Sequence, residues 1–261
     1  VKILALDIET SPNVVYTWGL WNQNIGLNQI IQPVRVLCLG AKWLDLEGPR
    51  KKDTIFLSEW TEGRAAMIEG AHHLLDRADV VVHWNGTSFD IPHLQREFQL
   101  EGHGPTSPFV ELDLIKTVRR KFRFQSNKLE HVSQQLLGEG KVKHEGMDLW
   151  RSIIEDDVDP VVKAAAQRRM KKYNVQDVEL LDRLYHELRP WIPNHPNVAT
   201  AWNTGDLDIC PRCGSAKTLQ KRGVRYTQSG AFQNYRCSAC RGYSKSRKVI
   251  EGHERPARVV A

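Results

Sequence analysis

The stretch Leu4-Ala5-Leu6-Asp7-Ile8-Glu9-Thr10 decides how the rest of the chain is read. Its apolar, β-prone residues predict a buried strand. On a strand, residues two apart share a face, so Asp7 and Glu9 project side by side. Two like charges at the end of an apolar strand raise each other's pKa and destabilise the fold unless a cation or a basic partner offsets them. Hard oxygen ligands of this kind suit magnesium or manganese. An isolated Asp-x-Glu is more often a solvated pair where a strand leaves its sheet, so the metal reading needs support from elsewhere in the chain.

Working outward, residues 34–43 and 53–57 are further β-prone runs, and 62–77 carries Ala65, Ile68, Leu74 and Leu75 at helical spacing. The three consecutive valines of 79–83 predict a buried strand, 88–100 a helix and 109–112 a fifth short strand, while 114–189 is mainly helical. This order predicts an α/β fold with helices on both sides of the sheet.

Two more acidic motifs lie further along, one where a strand gives way to a helix and one on a helix. In His83-Trp84-Asn85-Gly86-Thr87-Ser88-Phe89-Asp90 a strand ends and Asp90 stands near the next helix start, where an acid is also favoured by the helix dipole. In Tyr173-Asn174-Val175-Gln176-Asp177 the tyrosine and the aspartate are one helical turn apart and share a face. Taken alone, that pair also fits a half-buried tyrosine beside an exposed acid.

Together, Asp-Ile-Glu-Thr at 7–10, Asn-x-x-x-Phe-Asp ending at Asp90 and Tyr-x-x-x-Asp at 173–177 resemble the three motifs of the DnaQ-like 3′-to-5′ exonuclease superfamily. Tyr173 places the resemblance in its tyrosine (DEDDy) subgroup, alongside polymerase proofreading domains and ribonuclease D. It implies a ribonuclease-H-like domain over residues 1–190 with a mixed five-stranded sheet. It also implies two Mg2+ or Mn2+ ions about 4 Å apart. Asp7 would bridge the ions, Glu9 and Asp177 would complete the shell of one, Asp90 would hold the other, and Tyr173 would orient the attacking water. The expected catalytic set is therefore Asp7, Glu9, Asp90, Tyr173 and Asp177. Substrate contacts are expected at Thr10, Asn85 and Phe89. The basic and aromatic run 119–129 suggests more at Arg120, Arg123, Asn127 and Lys128, since such runs grip phosphates and stack bases.

Pro190, Pro193 and Pro196 cannot continue a helix and mark a linker over 191–208. Beyond it, Cys210-x-x-Cys213 and Cys237-x-x-Cys240 form two knuckles, with Gly214 and Gly242 as turn residues, and resemble a zinc ribbon over 209–243. Four thiolates satisfy one structural Zn2+ and leave no open position for catalysis. The fifth cysteine, Cys38, sits in an apolar run and reads as a core residue. Residues 244–261 are basic and sparse in apolar side chains, which predicts a flexible tail.

The formal charge of +6 is concentrated late in the 261-residue chain. Residues 205–261 carry 12 Lys or Arg against 4 Asp or Glu, and the first 204 residues carry 25 against 27. A basic module beside a near-neutral domain suits contact with a phosphate backbone. No apolar run approaches the length of a membrane span. The expected protein is a cytoplasmic exonuclease releasing nucleoside monophosphates from single-stranded 3′ ends, DNA favoured over RNA, with replication or repair proteins as further partners of the ribbon. Alternative readings are a non-catalytic adaptor on the same fold and a structure-specific endonuclease.

Overall fold

The computed structural model describes residues 1–49, 54–140, 146–201 and 209–254. In chain order the strands are β1 (Ile3–Thr10), β2 (Val14–Val15), β3 (Ile30–Gln32), β4 (Val36–Leu44), β5 (Ile55–Ser58), β6 (Val80–His83), β7 (Val110–Asp113), β8 (Leu219–Thr227), β9 (Gly230–Cys237) and β10 (Tyr243–Glu254). The α-helices are α1 (Arg64–Asp76), α2 (Asp90–Leu100), α3 (Leu114–Lys121), α4 (Leu129–Leu137), α5 (Met147–Ile154) and α6 (Pro160–Leu188). The chain divides into two compact units: residues 2–44 with 50–184, and residues 1, 45–49 and 185–261.

The larger unit is built on a mixed five-stranded sheet of order β5-β4-β1-β6-β7. Central β1 runs antiparallel to β4 and parallel to β6. Its alternation sorts the two faces. Leu4, Leu6 and Ile8 join Met67, Ile68 and Leu75 of α1 and Ile91, Leu94 and Phe98 of α2 in one core. The same alternation turns Asp7 and Glu9 to the opposite face. A second cluster gathers Leu37 and Cys38 of β4, Leu149 and Ile153 of α5, and Ala166, Met170 and Tyr173 of α6. Cys38 is fully buried there, and burial pushes its thiol pKa well up.

Helix α6 reaches the sheet closely because β4 carries Gly40. A Cβ on Gly40 would meet Asn174 Oδ1 at 2.5 Å and Val178 Cγ2 at 2.8 Å. Along the same contact the buried Lys42 ammonium pairs with Glu179 at 2.6 Å and Asp182 at 3.0 Å. Breaking such a pair by removing one partner is costly, so it clamps α6 onto β4.

In the smaller unit β8, β9 and β10 form a three-stranded antiparallel sheet. Its third strand differs from the flexible tail expected over 244–261. Tyr243 pairs with Arg236, Lys245 with Asn234 and Glu254 with Gly230, and residues 255–261 lie outside the described residues. Few apolar side chains hold β10, Val249 beside Gly230 among them. Its backbone bonds to β9, Arg236 lies 6.0 Å over the Tyr243 ring, and the Lys245 ammonium sits 3.4 Å over Phe232. Within the expected linker, Ile192 and Val198 are buried and the Val198 amide donates to the Pro211 carbonyl at 2.9 Å. That part of the segment is integral to the unit, and 202–208 lie outside the described residues. Among the described residues no helix is long and apolar enough to cross a membrane.

Candidate metal and nucleic-acid site

β1 presents Asp7 and Glu9 on the face that α6 covers, and one carboxylate oxygen from each of Asp7, Glu9 and Asp177 falls within 4.8 Å of the others. Asp177 is buried, whereas Asp7 and Glu9 are partly open. Three anionic groups this close are held together only at the cost of mutual repulsion, which a divalent cation removes. The donor set is all carboxylate oxygen, the chemistry that magnesium or manganese takes.

Asn174 ties the cluster together. It is wholly buried, and its Nδ2 donates to Asp7 Oδ2 at 2.8 Å and to the Asp7 carbonyl at 3.1 Å. Sequence reasoning assigned it no part, although it stands three residues before Asp177 and so shares the face of that acid. Tyr173 is buried with its ring in the second core cluster.

Asp90 is adjacent but stands outside the group of three. Placed at the start of α2, it is 3% exposed, and its Oδ1 accepts the Ile8 amide at 3.0 Å, between Asp7 and Glu9 in sequence. Burial pushes its carboxyl up to about 6, against the lowering effects of His83 and of the Ile8 amide.

His83 was not singled out by sequence reasoning either. It is fully buried at the end of β6, with its Nε2 3.2 Å from Glu111 and its Nδ1 3.8 Å from Asp113. Burial pulls its pKa down, but the Asp113 and Glu111 carboxylates outweigh it and push it up to about 9. The Gly86 amide, donating to Nδ1 at 3.0 Å, opposes a second ring proton and keeps the first on Nε2. The upward direction nevertheless stands, because both carboxylates flank the ring. A buried histidine at a strand end carries no periodic signal that marks it.

The expected substrate residues fall in separate places. Thr10 ends β1, and its carbonyl accepts Trp150 Nε1 at 3.0 Å. Asn85 takes a left-handed conformation, φ 68°, with its amide donating to Asp113 Oδ1 at 2.8 Å. Phe89 is 40% exposed and meets the His93 ring edge-on at 4.7 Å. Arg120, Arg123 and Asn127 line one cavity of about 340 Å³ with Arg119, Lys121 and the Phe122–Phe124 ring pair. The four cations there are solvent-exposed, while the two rings are half-buried. Lys128 is exposed and precedes the first turn of α4.

In the smaller unit the four cysteines converge. Cys210 and Cys240 sulfurs are 3.8 Å apart, as are those of Cys213 and Cys237. Thiolates at ~2.3 Å from a tetrahedral zinc ion lie about 3.8 Å from one another, so the arrangement fits that ion. The spacing is far too long for disulfides. Gly214 supplies the left-handed turn after the first knuckle, φ 73°. After the second knuckle Arg241 takes that role, φ 63°, and Gly242 is required for close approach, because a Cβ there would meet Arg212 Cδ at 2.5 Å. Arg212 in turn donates to the carbonyls of Arg189, Ile192 and Tyr243. On the sheet, β8 exposes Arg222, Arg225 and Tyr226, whereas Phe232 is buried beneath Lys245 and is not free to stack on a ligand.

The family model of the RNase_H superfamily matches residues 35–189. Asp90, Tyr173 and Asp177 fall inside the matched span, and Asp7 and Glu9 precede it. No curated protein matches the chain.

Proposed function

As the chain belongs to the RNase_H superfamily and carries a nuclease-type domain, we propose that it is a metal-dependent 3′-to-5′ exonuclease acting on single-stranded nucleic acid. The observation that carries this is the convergence of Asp7, Glu9 and Asp177 from residues 170 positions apart onto one point of the sheet. A fourth acid, Asp90, reaches the backbone between Asp7 and Glu9, as the three-motif resemblance implies.

In this reading Asp7, Glu9 and Asp177, with Asp90 as the fourth carboxylate, hold the divalent ions. When bound there, divalent ions would supply activation of a water and stabilisation of the leaving 3′ oxygen. The protein's own groups do the positioning. Asn174 fixes the Asp7 carboxylate, and Tyr173, one turn before Asp177, aligns the attacking water. A phenol is a poor general base, so its contribution is orientation and not proton removal. Arg119, Arg120, Lys121 and Arg123 engage phosphates of the strand. The four cysteines hold a structural Zn2+, and the exposed cations of β8 give the smaller unit a phosphate-binding surface of its own.

The test is magnesium-dependent digestion of matched 3′- and 5′-labelled DNA and RNA oligonucleotides, with a circular single strand alongside. Stepwise shortening from the 3′ end and an intact circle are expected. Cutting of the circle favours an endonuclease, and binding without cutting favours the adaptor.

A further inference from the structure

From Thr10 to Val34 the chain contains no charged residue, and the structure places the large apolar side chains of that stretch on the outside. Trp18 is 99% exposed, Trp21 83% and Tyr16 75%, with Leu20 and Leu27 also in solvent. The segment is nonetheless ordered. β2 and β3 pair Val14 with Gln32 and Val15 with Ile30. The Gln29 side chain accepts the Gly26 amide at 2.8 Å and donates to the Tyr16 carbonyl at 2.9 Å, and the Tyr16 amide donates to the Gln29 carbonyl at 2.9 Å. Thr17 Oγ1 closes onto the Gly19 carbonyl and Gln23 Nε2 onto the Trp21 carbonyl, each at 2.9 Å. Backbone and amide groups thus build the arm, and neither tryptophan ring is spent on it.

The base of the arm lies beside the acidic cluster. Val14 packs in the same core as Tyr173 and Trp150, and Trp150 holds the carbonyl of Thr10 at the end of the strand that carries Asp7 and Glu9. Large aromatic side chains exposed together in one short, ordered segment are what a binding surface offers. The lack of charge argues against phosphates as the ligand of the arm, which fall to the Arg119–Arg123 region. Flat aromatic faces among the amides of Asn22, Gln23, Asn24 and Asn28 suit nucleobases, which stack and hydrogen-bond without carrying charge.

We propose that Trp18 and Trp21, with Tyr16, form a platform on which unpaired bases of the substrate strand stack next to the acidic cluster. The inference rests on the nuclease reading and adds base contact to it.

The test compares a fluorescent single-stranded oligonucleotide with its abasic counterpart, which keeps the sugar and phosphates, bound to the full chain in magnesium-free buffer. Wild type is expected to bind the base-bearing strand at least about tenfold more tightly. The double variant Trp18→Ala/Trp21→Ala should lose roughly 10- to 100-fold for that strand. Its affinity for the abasic strand and its salt slope should not change, which also shows that it is folded. Equal wild-type affinity for the two strands overturns the platform, as does a double variant that keeps the preference. Sedimentation covers the alternative: if the double substitution dissolves an oligomer and the base preference persists, the patch is a face between copies and the proposal fails. Wild type that never digests a strand in magnesium refutes the nuclease reading, whereas digestion without base preference refutes only the platform.

Discussion

At the scale of single residues, the acidic cluster is a place where folding and chemistry pull in opposite directions. Asp7 sits within reach of two other carboxylates, so Asp7→Ala removes a repulsion and, on the proposed function, an ion ligand. Hydrolysis is expected to fall by at least ~10³-fold, with an unchanged or higher melting temperature in magnesium-free buffer. Near-normal digestion by that variant contradicts the assignment. Gly40 tests the support behind it. Gly40→Ala forces a methyl group into Asn174 and Val178, which is expected to cost about 1–3 kcal/mol as an overpacked core does. It should also weaken magnesium binding by displacing the amide that holds Asp7, and a calorimetric titration with magnesium reads that second effect.

At the scale of elements, the smaller unit carries a pH-sensitive joint after α6. His195 Nδ1 donates to the Pro196 carbonyl at 2.8 Å, and Nε2 faces the Tyr185 hydroxyl at 2.8 Å. Burial pulls the His195 pKa down from 6.5 to about 4. Between those values the unfolded chain takes up a proton that the folded one refuses, so the contribution is present above pH 6.5 and lost as pH falls towards 4. About 3 kcal/mol is at stake. Urea unfolding followed over this range should show the loss in wild type and a flatter profile in His195→Gln. The cysteine cluster belongs to the same unit. One zinc per chain is expected by elemental analysis, and Cys237→Ser should lose it together with the β8–β10 sheet, because so small a sheet needs the metal to fold.

Elements with a periodic signal were legible in advance. The alternation of β1, the valines of β6 and the helical spacing of α1 predicted the sheet and its helices to within a few residues. The acids of the candidate site were legible because each belongs to a recognisable motif: Asp7 and Glu9 on β1, Asp90 at the start of α2, and Asp177 one turn after Tyr173 on α6. Asn174 and His83 escaped notice because their roles depend on partners 167 and 28 residues or more away, which no local pattern records. β10 was misread because cation–ring contacts and backbone pairing do much of the holding of a strand that is sparse in apolar residues. The short β2–β3 pair was missed for a similar reason, since amide side chains shape that arm.

At the scale of the whole molecule, the late concentration of positive charge translates into a measurable salt dependence. Removing two exposed cations with Arg222→Gln/Arg225→Gln should make the slope of log Kobs against log salt for a single strand shallower by about 1.4, if both contact phosphates. An unchanged slope assigns the smaller unit to protein docking instead. Substitution is the better probe than shortening the chain, because residues 185–201 and 209–254 share one compact unit and Arg212 bonds across from one segment to the other.

The bond from Asn174 to Asp7 spans 167 residues, and Asp177 comes later still. A ribosome therefore extrudes Asp7 and Glu9 well before Asp177, and the carboxylate trio cannot form until another 168 residues have followed Glu9. Contacts so distant in sequence form only when the surrounding domain closes. A nascent polypeptide that has not yet incorporated α6 thus lacks the third carboxylate of the trio.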